Sequence, residues 1–226
     1  MRILRPIQPF GRLRRMSGER GTRERILEVA EAFLGECGYS GTRLHLIAQR
    51  VGIQKASLFH YFPSKEELYH AVLDSGIDET EDAIGRALAA AVEPLEKVRM
   101  LVEAYVDLVA AHPQRTKILL RQSLGDAPDG AHATDGSQRL MAAVVQFVAD
   151  EQREHTFAPI DPLALVLGVM GMVAFFFTSA PVLAPTWYGE ADSEDAVARV
   201  KRHVVEVVQR CLTAGARPRA ARLALA

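Results

Sequence analysis

The chain is poor in the features that define several other classes of protein. Two cysteines in 226 residues, Cys37 and Cys211, stand in no ligand spacing, which excludes a disulfide scaffold and a zinc ribbon and fits a reducing cytosol. Gly and Pro are present at ordinary levels, so neither a collagen-like nor a low-complexity chain is in question. Alternating apolar and polar runs are missing, which removes half-buried strands and leaves an all-α reading. Among the seven histidines there is no His-Glu-x-x-His pair, and the chain has no Gly-rich phosphate loop and no Gly-x-Ser-x-Gly elbow. His70 and Asp74 at i, i+4 read as a surface pair. No catalytic residue, metal ligand or cofactor is therefore assigned, and an enzyme is not expected.

Long uncharged runs are also scarce, with one exception between Pro162 and Gly189. Its apolar centre reaches Phe177, and Thr178-Ser-Ala-Pro181 is expected to stop the helix at roughly 25 Å, short of a roughly 30 Å hydrocarbon core. A helix buried between others or in a dimer is the preferred reading, and no membrane partner is expected.

What is present is an uneven charge. The net charge is −1, yet the first 65 residues hold 12 Lys+Arg against 5 Asp+Glu, and the remainder is acidic. Such asymmetry points the N-terminal part at a polyanion. Eight arginines fall within residues 1–25 with no apolar stretch of signal-peptide length behind them, so residues 1–21 read as a basic arm. Two readings of the arm stand: a solvated tail, or an arm that follows a duplex backbone or enters its minor groove.

Helical periodicity sets the organisation. A first helix starts near Thr22, carries Ile26, Leu27, Ala30, Phe33, Leu34 and Cys37 on its apolar face, and ends at Gly38. Short helices follow over 44–51 and 55–62. Ser64 with Glu67 forms a capping box for a long helix over 64–91, and further helices are expected over 94–111, 113–124, 135–155, 161–179 and 192–214. The divisions are a basic arm (1–21), an N-terminal unit of short helices (22–68), a helical body (69–215) and a basic tail (216–226).

The segment 44–62 carries the functional signal. Ala48, Gly52 and Leu58 match the helix-turn-helix pattern: a small residue where two helices touch, a glycine where the backbone turns with positive φ, and a core leucine. Ile47, Val51, Ile53, Tyr61 and Phe62 complete a small core. The same spacing is equally that of an αα-corner in a bundle without DNA. Three facts favour DNA: the segment lies in the basic half, its second helix exposes Lys55, Ser57, Phe59 and His60, and Lys65 begins the next helix beside free N–H groups, a seat for a phosphate.

Gly38-Tyr-Ser-Gly-Thr42, Ile47-Ala-Gln-Arg-Val-Gly-Ile53 and Lys55-Ala-Ser-Leu-Phe-His-Tyr-Phe-Pro-Ser-Lys-Glu-Glu-Leu68 resemble the tetracycline-repressor (TetR) family of bacterial regulators over about residues 22–70. The resemblance implies a homodimer, cytoplasmic and associated with the nucleoid, that binds a palindromic double-stranded DNA operator and releases it on binding a small-molecule effector. It places Lys55, Ala56, Ser57, Phe59, His60 and Tyr61 on the DNA, Lys65 and the Thr42 region on phosphates, and His45 at a polar contact. Arg43 and Phe59 depart from the usual Thr and Tyr. Repression is the family's commoner mode and activation its other.

The resemblance also implies an effector body and a four-helix dimer seam built from the last two long helices. Tyr105, Met141, Phe147, Met170 and Phe177 are candidate pocket walls and read equally well as plain core. The scarcity of charge from 138 to 190 suits an apolar or aromatic effector. Val197, Val200, Val204, Val208 and Cys211 form an apolar stripe that fits the seam. A helical interaction module that binds no DNA is the competing reading, and salt-dependent duplex binding separates the two.

Overall fold

A computed structural model describes residues 21–129, 135–183 and 193–214; the expectations for the arm and the tail fall outside these. The described residues form ten helices and no strand: α1 (Thr22–Gly41), α2 (Leu44–Val51), α3 (Lys55–Tyr61), α4 (Lys65–Asp74), α5 (Ile77–Ala89), α6 (Pro94–Ala111), α7 (Pro113–Ser123), α8 (Asp135–Arg153), α9 (Pro162–Leu183) and α10 (Glu194–Thr213). The fold is all-α, as the periodicity predicts.

Apolar side chains gather in a head and a body. The head cluster takes Ile26, Ala30 and Leu34 from α1, Ile47 and Val51 from α2, Leu58 and Phe62 around α3, and Leu68, Tyr69 and Val72 from α4. Ile118 of α7 belongs to the same cluster and is 2% exposed. The head therefore extends past residue 68 to Val72, and α7 lies on α1 as its cover. The body cluster joins Val98, Val102, Val106 and Val109 of α6 to Val173 and Phe177 of α9 and to Val200, Val204, Val208 and Leu212 of α10.

The expected helix over 64–91 is two helices. The Ser75 hydroxyl donates to Val72 O, and Gly76 sits against Arg115, whose Nη1 lies 2.7 Å from where a Cβ would stand. Glycine's low helix propensity and this crowding end α4 and restart the chain as α5. In the other direction, α9 runs through position 181 to Leu183. The helix continues past that position, so the expected stop is absent. At 22 residues α9 is about 33 Å long, and length no longer separates it from a membrane span. Its packing is one-sided: Val173, Ala174 and Phe177 are buried in the body, whereas Leu163, Leu167, Met172 and Phe175 are exposed.

The stripe expected at the dimer seam packs within the chain. Val200, Val204 and Val208 are buried in the chain's own core opposite α6, Val197 packs on the same cluster, and Cys211 alone of the five is exposed. An amphipathic stripe states that a face is covered, not by what. Cys37, expected on the buried face of α1, is also exposed.

Of the candidate pocket walls, Tyr105 and Phe147 pack at the junction of the body cluster and a smaller cluster around Ile84, Ala87 and Leu101. Phe177 is buried, and Met141 and Met170 are half-buried. Phe147 meets Phe157 edge-on at 6.0 Å, and burial pushes the Tyr105 hydroxyl up to about 12.

Candidate nucleic-acid interface

Leu44 to Val51 supplies Ile47, Ala48 and Val51 to the interior, and Gly52 then closes α2 at φ 83°, ψ 32°. Its N–H donates to Ala48 O and that of Ile53 follows to the same oxygen, a left-handed C-terminal cap. Nothing lies within 4 Å of where a Gly52 Cβ would stand, so the backbone angle and not space calls for glycine. Gln54 begins α3 in extended conformation, and Leu58 with Phe62 locks it inside. Ala48, Leu58 and Phe62 are thus buried behind the turn that Gly52 makes between α2 and α3.

With Leu58 turned inward, the helical period points Ala56 and His60 directly outward. Lys55 and Phe59 flank them, with Lys55 Nζ 5.7 Å above the Phe59 ring. All four are exposed, and Ser57 is half-buried. Tyr61 is exposed too but lines a separate groove with Arg23, Glu67, His70 and Asp74, whose carboxylates disfavour a phosphate nearby. Arg43 and His45 are exposed at the start of α2, which has no side-chain cap on its first N–H groups. Gln49, one turn after His45, and Gln54 are exposed as well. Sequence reasoning passed over both, although an uncapped polar residue opening the outward helix is a readable signal.

Two expected phosphate contacts change character. Thr42 is 3% exposed and its hydroxyl donates to Gly38 O at 2.6 Å, so it braces the turn and has no hydroxyl left to offer a phosphate. Lys65 is half-buried with Nζ 4.5 Å above the Tyr39 ring. Burial lowers its pKa against the opposing pull of Asp126. Ser64 Oγ accepts the Glu67 N–H, so one of the donors at the start of α4 is already taken.

The head is held to the body through polar contacts across α1 and α7. Arg115 Nε donates to Glu31 at 3.0 Å, and Arg121 donates to the carbonyls of Gly35 and Glu36. Asp126 accepts the Ser40 N–H at 2.9 Å. These partners lie more than eighty residues apart, beyond the reach of motif reasoning.

A glycine-hinged helix-turn-helix head on a separate helical body defines a DNA-binding regulator, and comparison with known proteins specifies which kind. Residues 26–72 match the family model for bacterial regulatory proteins of the tetR family, and residues 94–208 match that for the tetracyclin repressor-like C-terminal domain. The chain belongs to the TetR family of transcriptional regulators. It is 30% identical over 196 residues to the HTH-type transcriptional regulator RutR of Escherichia coli K12, covering 86% of this chain and 90% of that one. Over 106 residues it is 28% identical to the transcriptional activator FasR of Mycolicibacterium smegmatis, 47% of this chain and 48% of that one. Among solved structures, the ketosteroid regulator KstR2 of Mycobacterium tuberculosis superposes with a TM-score of 0.66 at 22% identity, over 85% of this chain and 95% of that one. AibR in complex with isovaleryl coenzyme A and operator DNA gives 0.64 at 19%, over 83% and 97%. At these identities the structures show a shared fold.

Proposed function

We propose that this regulator is a cytoplasmic homodimer that represses transcription by holding a palindromic operator and lets go when a small apolar or aromatic effector enters its body. The outward face of α3, with Ala56 and His60 at its centre and Lys55 and Phe59 beside them, carries the reading: the fold holds it rigidly from behind through Leu58 and Phe62. Base edges are read from that face, with Ser57 at its margin. Arg43, His45 and the uncapped start of α2 take the flanking phosphates. The protein acts by binding, without catalysis, metal or cofactor.

A two-fold arrangement needs a self-complementary surface. The exposed side of α9 supplies one, because Leu163, Leu167, Met172 and Phe175 stand beside Ala164, Gly168 and Gly171, small residues that let a second helix approach. This face replaces the α10 stripe as the seam and gives α9 a protein partner in place of lipid. The effector seat is the aromatic junction of Tyr105, Phe147 and Phe177, with Met141 and Met170 at its margins.

Selection of genomic fragments by the purified protein at two salt concentrations tests the reading. An enriched palindrome with salt-dependent affinity supports it. Binding without sequence preference, or no binding, replaces it with a helical interaction module.

A further inference from the structure

The helix α1 is not continuous to its end. Gly38 takes φ +74°, ψ 176°, so the helix proper stops at Cys37 and residues 39–41 form a fresh turn. A stop and a start each leave backbone groups without partners one turn away: carbonyls before the break and N–H groups after it. Side chains close in sequence ordinarily satisfy such groups. Here they come from the body. Asp126, in the turn after α7, accepts the Ser40 N–H at 2.9 Å, and that bond, followed by one from the Ser40 hydroxyl, the Arg121 charge and the Tyr39 backbone, holds its carboxyl below the usual range against the effect of burial. Its second oxygen fills the notch of Gly38, 1.8 Å from where a Cβ would be. On the other side of the break, Arg121 donates to Gly35 O at 3.3 Å and Glu36 O at 3.0 Å while its Nη1 stands 3.7 Å from Asp126.

The turn that these two residues cap is a junction. The Tyr39 ring lies under Lys65 at the start of α4 and meets the Tyr69 ring edge-on at 5.4 Å. Gly38 O receives the hydroxyl and the N–H of Thr42, and Arg43 then opens α2. The starts of α2 and α4, on either side of α3, thus rest on one turn.

We propose that Asp126 and Arg121 are positioning residues for DNA binding: a double cap by which the body sets the uncapped start of α2, which faces phosphates, together with the start of α4 packed on the same turn, leaving the base-reading face of α3 alone. This rests on the operator-binding reading above. Released from the cap, the turn no longer fixes Tyr39, and Lys65 and the start of α2 lose their placement together.

The test compares the wild-type full chain with Asp126→Asn, Asp126→Ala and Gly38→Ala, measuring affinity for the selected palindrome and for a random duplex across a salt series. Circular dichroism and urea unfolding identify variants that remain folded, and Asp126→Asn, which keeps the side chain's shape, guards against loss of the fold. The expected result is that affinity falls by about tenfold on both duplexes alike, with the ratio between them kept and the salt slope reduced by roughly one phosphate. Unchanged affinity and slope in Asp126→Asn and Asp126→Ala overturn the proposal. So does a fall confined to the palindrome, which would put the effect on α3. A wild-type chain that binds no duplex at any salt overturns the operator reading and this proposal with it.

Discussion

Arg115 of α7 and Glu31 of α1 form a 3.0 Å ion pair across the boundary between head and body, and the same guanidinium reaches Glu79 of α5 at 3.3 Å. The side chains of Arg115 and Glu31 are only 25% and 17% exposed, so water screens this pair less than one on the surface. A double-mutant cycle with Arg115→Met and Glu31→Gln, followed by urea unfolding, is expected to give a coupling of about 1–2 kcal/mol. A coupling indistinguishable from zero would mean that the bridge is open in solution.

Glu79 makes the same cluster sensitive to acid. Burial pushes its carboxyl up, but hydrogen bonds from His112 at 2.9 Å and from Arg115 outweigh that and hold it below the ordinary value. A depressed acid stabilises the fold fully above its unfolded pKa of about 4.3, and that contribution disappears as pH falls through the folded value. Wild type and Glu79→Gln are therefore expected to differ in Tm at pH 7 and to converge progressively as pH falls below that unfolded value. A constant gap across that window would remove Glu79 as the cause.

The recognition unit separates specificity from stability. His60→Ala, on the outward face of α3, is expected to relax base preference with unfolding unchanged within about 0.5 kcal/mol. Leu58→Ala, fully buried on the opposite side of α3, should cost about 2–5 kcal/mol and lose all duplexes together. Binding-site selection beside urea unfolding distinguishes the two, and a His60→Ala protein with unaltered preference would remove that residue from the reading face.

Much of the head was legible because its signals are local. Ala48, Gly52 and Leu58 lie within eleven residues, and each has one physical task that few other residues perform. The phosphate contacts were less legible. A threonine near a helix start can cap, contact a phosphate or brace a turn, and only the course of Gly38 shows Thr42 bracing. The α10 stripe was seen correctly as a stripe, but periodicity cannot tell whether α6 or a second chain covers Val200, Val204 and Val208. Asp126 and Arg121 were invisible as caps because their acceptors and donors are backbone groups more than eighty residues away.

Two helical glycines should respond with opposite sign to the same change. Gly85 on α5 has nothing within 4 Å of its missing Cβ, so Gly85→Ala is expected to stabilise by about 0.5–1 kcal/mol through helix propensity alone. Gly35 on α1 faces Gln114, whose Cβ and backbone Cα would lie 2.9 and 3.1 Å from the new methyl. Backbone cannot swing aside as a side chain does, so Gly35→Ala is expected to destabilise by about 1–3 kcal/mol despite its better propensity. Urea midpoints for both variants check the pair; stabilisation by Gly35→Ala would show that α1 and α7 stand further apart in solution.

The oligomeric state distinguishes α9 from α10 as the seam. Phe175 is 62% exposed and Leu167 51% on the outward side of α9, where a carboxylate is tolerated by a free monomer and costly against a second copy. Phe175→Glu is expected to sediment as a monomer with unaltered helix content. It should also bind the palindrome more weakly, because two linked heads on successive half-sites gain from effective concentration and two separate ones do not. Val204 is 1% exposed inside the chain, so Val204→Ala should cost about 1–3 kcal/mol in unfolding and leave the monomer–dimer balance where it was. The reverse pattern, a Phe175→Glu dimer and a Val204→Ala monomer, would restore the seam to α10 and leave the open face of α9 to some other partner.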